Sequence, residues 1–458
     1  MQRADLSNVV MHIKALHFPR MAVQEVLAET IEPPAPERVK VAINSLKMVG
    51  ALDHDENLTP LGRVLLQLPV DVQLGTMVLY GAFFKCLSRA VSLAAILSNR
   101  DPFLSPPLRK REAHAVKSSW VPEGSKSDVL ATLAAYEEWA SIQNKGHYNT
   151  AGQFCMDNYL SKPTMMLIHR IRGQLVHSLY QAGVMDISAG GAAASGASNS
   201  EHVPPELNVN AGSMPLLAGL VALATKPKFA VKLNHRLLRT NIDKVVLIHP
   251  SSTNANKNER DTDFLQDTDR DIMAFSEKRR SVNVGNAGQT FLSGTTKIPA
   301  LPYVMFGAHD IKLTNAGLEC DKWVHISGVI GALEEVRRLR ENVHGCMLRV
   351  FEGLSRSSRT RKTQNGVVVP VHPRYEGDTE SLVGEREYAE DNLDARDHRL
   401  SEKEMKELDL LTTDIVRILD EQYTNMQYIQ GAKSKIDNIR SYMKSNKDKS
   451  YWSGSANY

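Results

Sequence analysis

The chain has 458 residues, with 55 Lys and Arg against 52 Asp and Glu, a formal net charge of +3. That length predicts two to four domains, the 42% hydrophobic share fills ordinary cores, and so small a charge does not by itself call for nucleic acid. Cys86, Cys155, Cys320 and Cys346 are scattered with no C-x-x-C pair, which argues against a zinc finger and for a reducing compartment, nuclear or cytoplasmic.

The opening residues, MQRADLSNVVMHIKAL, lack the apolar core and small-residue cleavage site of a signal peptide. No run is apolar for long enough to span a membrane, so no membrane partner is expected. Leu6, Val9, Val10, Ile13 and Leu16 share one helical face. Val23, Val26 and Leu27 begin a second stripe that Pro33 and Pro34 end. Pro36 suits a first helical turn, Val39, Ala42, Ile43, Leu46 and Val49 make a third stripe, and Gly50 suits its C-terminal stop. ALDHDENLTPLG then places two short extended pieces around a polar turn. Three helices and a two-stranded wing over 1–70 predict a winged helix. It serves either nucleic-acid binding or packing, and Arg38, Lys40 and Lys47 are few cations for a recognition helix.

Residues 71–187 predict a helical bundle. LGTMVLYGAFFKCLSRAVSLAAILS is apolar nearly all round and reads as a buried central helix pair. Residues 188–205 are rich in Gly, Ala and Ser and read as a flexible loop. Residues 206–328 change character: the helix MPLLAGLVALAT leads into the strand-like runs KFAVKL, KVVLIHP, TFLSGTTKI and YVMFGAHDIKL. With a polar insertion over 253–289, they predict a small closed barrel of the OB type. A helix is expected over 329–354 and a disordered linker over 355–403. Over 404–444, Leu408, Leu411, Ile415, Ile418, Ile429, Ala432, Ile436, Ile439 and Met443 form a seam with a polar break at Gln422 and Asn425. That spacing predicts a coiled coil and a protein partner for it, the alternative being an amphipathic helix folded back on the bundle. The expected fold is mainly α with a small β barrel.

Winged helix, helical bundle and OB-like barrel in that order form the accessory series of DEAH-box RNA helicases. The residues follow the order: IEPPAPERVKVAINSLKMVGALDHDENLTPLGRVLLQLPVDVQLGTMVLYGAFFKCLSRAVSLAAILSNRDPF, DNYLSKPTMMLIHRIRGQL, VVLIHPSS and LPYVMFGA each resemble that family. The resemblance covers about residues 5–350. It implies an RNA-binding accessory region, with ATP and Mg2+ held by a RecA-like core. No Gly-Lys dipeptide occurs, so no G-x-x-x-x-G-K-[ST] loop exists here, and there is no D-E-A-H run. The expectation is a truncated or partial chain, or one part of a split enzyme, with no cofactor of its own. Its partners would be single-stranded or structured RNA and the helicase core, in trans or in a full-length product. The alternative is a non-enzymatic scaffold that binds RNA or protein and assembles through the coiled coil.

The resemblance places the barrel over the RNA exit, so the strand end His249, Pro250, Ser251, Ser252 is a candidate for phosphate and ribose contacts. A structural role for the same turn stays open: His249 bonded to a neighbouring strand, with the serines capping. Lys226, Lys228, Lys232, His235, Arg236 and Arg239 precede it, Lys297 and Lys312 follow, and Phe291 or Tyr303 is available for stacking. In the bundle, Asn158, Arg170 and Arg172 match the segment that lines the family's RNA channel. Two residues apart, Arg170 and Arg172 do not share a helical face, so at most one is expected in the channel and the other in a salt bridge. No catalytic constellation and no metal-ligand spacing is present.

Overall fold

Proline and glycine punctuate the first three stripes into helices. The structure, a computed structural model, describes residues 5–16, 18, 21–185, 203–233, 237–255, 271–281, 288–356, 360–362, 368–370, 403–426 and 428. Helices α1 (Ser7–Ala15), α2 (Val23–Ala28) and α3 (Pro36–Val49) bury Val10, Met11, Val23, Leu27, Val39, Ile43 and Leu46 against one another. Gly50 ends α3 at φ +82, a conformation that costs glycine least. Leu52 and Leu58 then pair across the wing, and Asn57 N–H donates to Asp53 Oδ1 at 2.7 Å inside its turn. Thr59 caps α4 (Pro60–Leu66). Lys47 is held by Glu56 at 3.1 Å, so the wing neutralises one of the few cations on α3.

Helices α5 (Val72–Phe83) and α6 (Leu87–Leu97) form the predicted buried pair. They approach so closely that a Cβ on Gly81 would collide with the Ala90 methyl. A Gly81→Val chain is therefore expected to lose about 1–3 kcal/mol by overpacking. Urea denaturation checks it, and an unchanged midpoint would show that the pair can separate. Around this pair run α7 (Lys110–Ser119), α8 (Asp128–Asn144), α9 (Tyr148–Asp157) and α10 (Lys162–Gln181).

The Met214–Thr225 helix is apolar all round and buried along its length. It packs between α5 and a curled seven-stranded sheet: β1 (Phe229–Lys232), β2 (Leu237–Arg239), β3 (Val246–Ile248), β4 (Ile272–Ala274), β5 (Glu277–Arg280), β6 (Thr290–Ser293) and β7 (Thr296–Ile298). The order is β5-β6-β3-β2-β1-β4-β7, antiparallel throughout except for the parallel β3–β6 pair. The run TFLSGTTKI, expected as one strand, is two. Gly294, at φ +62, breaks it, and β6 pairs with β3 while β7 pairs with β4. A two-residue link spans under about 10 Å, so β7, at one edge, lies close to β6, next to the other edge, and the sheet has to curl.

Two further expectations are corrected. The region 253–289 is not only a polar insertion, because Ile272–Ala274 is a buried strand and Glu277–Arg280 an exposed edge strand. Of YVMFGAHDIKL, only the last three residues are extended, as the start of β8 (Ile311–Thr314), with β9 (Gly317–Cys320) and β10 (Val324–Ile326) completing a three-stranded sheet. Ala300–Gly307 is a helical turn instead. Tyr303, Val304, Met305 and Phe306 are all buried there, and a strand facing a core on one side only does not bury four successive side chains.

The Ile330–Arg356 helix buries Val343, Met347, Val350 and Phe351 and returns to α4. Residues 360–362 and 368–370, within the stretch expected to be disordered, pair as a short antiparallel ladder. Residues 188–202 of the expected flexible loop and the rest of the expected linker lie outside the described residues, apart from its two ends. So does the expected coiled coil from 429 onward. Its first part is a helix over 403–426 folded back on this chain's own body. Ile415, Val416 and Leu419 are buried in the main core. Asp409 meets Lys85 at 2.9 Å, Glu404 meets Arg349 at 2.8 Å, Ser213 donates to Asp420 at 2.6 Å and the Tyr423 hydroxyl donates to the Gly124 carbonyl at 2.7 Å.

Candidate nucleic-acid interface

The end of β3 is built by residues from another layer. Asp128, buried at the start of α8, accepts from the Thr253 amide (2.8 Å), the Thr253 hydroxyl (2.9 Å) and the Thr295 amide (2.8 Å). Lys117, buried on α7, lies 3.7 Å from Asp128 and 2.7 Å from Asp101. Burial works against the Lys117 charge, but the carboxylates of Asp128 and Asp101 outweigh it and hold its pKa above the ordinary lysine value. His114 Nε2 lies 3.1 Å from the Ser252 carbonyl. The Ser252 hydroxyl, in a residue only 1% exposed, lies 2.8 Å from the Thr295 hydroxyl. Ser252 is thus part of the joint between sheet and bundle and offers nothing to a ligand, which corrects its candidacy.

His249 behaves differently. Its amide donates to the Leu292 carbonyl at 2.7 Å, while its ring is exposed. The Ser251 amide donates to His249 Nδ1 at 3.2 Å, and the Ser251 hydroxyl lies 2.7 Å from the same nitrogen. Nδ1 is therefore an acceptor, and the neutral ring carries its proton on Nε2. Partial burial, then Arg279 and Lys117, hold its pKa below the usual histidine range, so the neutral donor form prevails at pH 7. Ser251 orients the ring.

Beside His249 the sheet carries a mixed row. Arg279 on β5 pairs in register with Phe291 on β6, and Phe291 with Leu247 on β3. The His249 and Phe291 rings are 6.0 Å apart and near perpendicular. Phe291 is half-buried, and Arg279 is 75% exposed and paired with Glu277 at the surface, so phosphate can compete for it. Every residue of β5 is exposed, including Lys278 and Arg280. These three cations are not among the residues singled out from the sequence, although EKRR follows the apolar IMAF after a single serine. Tyr303 is fully buried, with its hydroxyl on Asp321 at 3.1 Å, and presents no stacking face.

The other candidates are spread out. Lys228 is exposed and donates to the Ser276 carbonyl at 3.3 Å. Lys297 is paired with Asp271 at 2.7 Å. Arg239 is half-buried over the Trp323 ring and donates to the Trp323 carbonyl at 3.2 Å. Lys312 is exposed on β8, in the other sheet. His235 and Arg236 lie outside the described residues. Asn158 accepts from Trp120 Nε1 at 2.9 Å and donates to the Phe154 carbonyl at 2.9 Å, so its amide serves the bundle.

Arg170 and Arg172 both line one groove of about 630 Å³ between α6, α8 and α10, together with His169, Tyr136, Asn144 and Ser141. Among the described residues Arg172 has no carboxylate partner. It donates to the Ser92 hydroxyl at 3.1 Å and the Ser88 hydroxyl at 3.1 Å, which fix its guanidinium in the groove wall. Arg170 stands exposed at the lip. The expectation of one inward and one salt-bridged arginine fails because these long side chains reach round the helix to a common groove. His169 meets the Tyr136 hydroxyl at 3.0 Å, and burial followed by Arg172 lowers its pKa.

Among the described residues no group of three or more His, Cys, Asp or Glu is placed to hold a metal, and no helix is long and apolar enough to cross a membrane. Comparison with known families matches residues 42–70 to the helicase associated domain (HA2), winged-helix, and residues 71–148 to the helicase associated domain (HA2), ratchet-like. The chain is 32% identical over 348 residues to the DExH-box ATP-dependent RNA helicase DExH1 of Arabidopsis thaliana, covering 74% of this chain and 31% of that protein. It is 30% identical over 352 residues to the ATP-dependent DNA/RNA helicase DHX36 of Homo sapiens, covering 74% of this chain and 32% of that one. With the human putative ATP-dependent RNA helicase DHX57, identity is 35% over 183 residues, 40% of this chain and 13% of the relative. The chain spans about a third or less of the length of these relatives.

Proposed function

We propose that this chain, which carries the C-terminal accessory region of a DEAH-box RNA helicase, clamps single-stranded RNA by its backbone and by stacking, without reading sequence. The observation that carries the proposal is the row Arg279, Phe291, His249, a half-exposed aromatic flanked by a guanidinium and an oriented N–H donor. Cations and donors suit phosphate oxygens, and an aromatic face suits any base, which is the chemistry of sequence-tolerant single-strand binding. The Arg170–Arg172 groove adds a second cationic surface on the bundle. The curled sheet plays the part of an OB barrel, and ATP hydrolysis belongs to a RecA-like core, in the same product or in trans.

Fluorescence anisotropy with a labelled single-stranded RNA tests this. Affinity is expected to fall steeply between about 50 and 200 mM salt, with Arg279→Ala reducing the slope by about 0.7. Phe291→Ala is expected to cost about 1–3 kcal/mol of binding, similarly for pyrimidine-rich and purine-rich strands. Wild-type chain that leaves the RNA unbound at low salt would sink the proposal. So would a Phe291→Ala chain that is folded and binds as well as wild type.

A further inference from the structure

The helix over 403–426 ends beside the joint between bundle and sheet. Its buried side chains Ile415, Val416 and Leu419 seat it in the main core, and its ion pairs reach Lys85 and Arg349. Its last turn does something else: the Tyr423 hydroxyl donates to the Gly124 carbonyl at 2.7 Å. Gly124 belongs to the loop that runs from α7 into Lys126, Ser127 and Asp128. The Lys126 carbonyl accepts the Lys297 amide at 2.7 Å, the Asp128 amide donates to the Thr295 carbonyl at 2.9 Å, and the Ser127 and Thr296 hydroxyls are 2.7 Å apart. Asp128 in turn holds the Thr253 amide, three residues beyond Pro250. One short loop is therefore gripped by the tail on one side and grips the 249–254 turn on the other.

We propose that the 403–426 helix is a strap: docked, it pins the 121–128 loop and with it the His249 turn, and released, it loosens the joint between bundle and sheet. The bistable element is the helix itself, docked or free, and linkage makes the effect reciprocal, so a ligand that needs a rigid His249 turn favours the docked tail. The part of the proposal that concerns RNA rests on the function proposed above; the mechanical part does not.

Hydrogen exchange on the full chain separates the two. In Tyr423→Phe, which loses the bond to Gly124, the amides of Asp128, Thr253 and Lys297 are expected to exchange about fivefold faster, the effect of one ordinary hydrogen bond on local opening. In Leu419→Asp, which puts a charge into the buried seat, the same amides and those of 403–426 exchange about tenfold faster or more, while α5 is unaffected. RNA affinity falls in the same order. Leu419→Asp with a freely exchanging tail and an unchanged Asp128, Thr253 and Lys297 would overturn the strap. If that variant does not fold, unchanged exchange in Tyr423→Phe overturns it alone. Faster exchange in a chain whose wild type binds no RNA would leave the strap standing and remove the RNA reading instead.

Discussion

An Asp128→Ala chain is expected to be about 3–5 kcal/mol less stable than wild type, because it breaks a buried ion pair and strands its partners. The carboxylate serves the amides of Thr253 and Thr295, the Thr253 hydroxyl and the Lys117 ammonium at once. Alanine leaves two amide N–H groups without acceptors where little water reaches. Lys117 keeps the Phe103 ring, 5.4 Å away, and Asp101, whose side chain is 47% exposed. Asp128→Asn should recover part of the loss, since its carbonyl oxygen still accepts while its NH2 faces donors. Urea denaturation followed by circular dichroism reads the difference. A loss below about 1 kcal/mol for alanine would mean that water enters the joint and replaces the carboxylate.

Phe306→Ala is expected to cost about 3–5 kcal/mol, the range for deleting a fully buried aromatic. The ring meets Phe84 at 5.5 Å and Tyr80 at 6.1 Å, both edge-on, and presses on Gly219 of the Met214–Thr225 helix. A Cβ on Gly219 would run into that ring, so Gly219→Ala alone should also destabilise. In the Phe306→Ala background the added methyl enters the new cavity instead. The double mutant is therefore expected to be more stable than the sum of the single losses by about 1 kcal/mol or more, as for residues sharing one cavity. Strict additivity in the cycle would show that the ring and the glycine do not compete for the same space.

The helices were legible because their information is local. Pro36, Gly50, Pro60 and the stripes between them mark ends and faces within a few residues. The apolar run 74–98 reads as a buried pair without knowing what surrounds it. The sheet was only partly legible. Residues 272–280 hide a buried strand and an exposed cationic strand inside a charged segment, and their pairing is decided by β1, β6 and β7 at a distance. LPYVMFG has the β-branched and aromatic look of a strand, yet packing on the Met214–Thr225 helix makes it a turn. At the site, His249 could be singled out from its strand end, but the burial of Ser252 depends on Thr295 and His114, far away in sequence. Over 404–444 the same apolar spacing serves a coiled coil and a helix folded back on the bundle. What decides is whether the body offers a seat, which periodicity does not contain.

The link at Gly294 also bears on how the molecule assembles. Strands β6 and β7 leave it in the two directions around the sheet, one to β3 and one to β4. Neither pairing can be zipped outward from a hairpin at that point. A Cβ at Gly294 would meet Ser276, so the bend tolerates little besides glycine. The helical pair α5–α6 closes over neighbouring residues and is expected to form early, whereas the sheet waits for contacts far apart along the chain. A circular permutant with its new ends at Gly294 would free β7 from β6. The two ends of the sheet would then have to find each other without a tether.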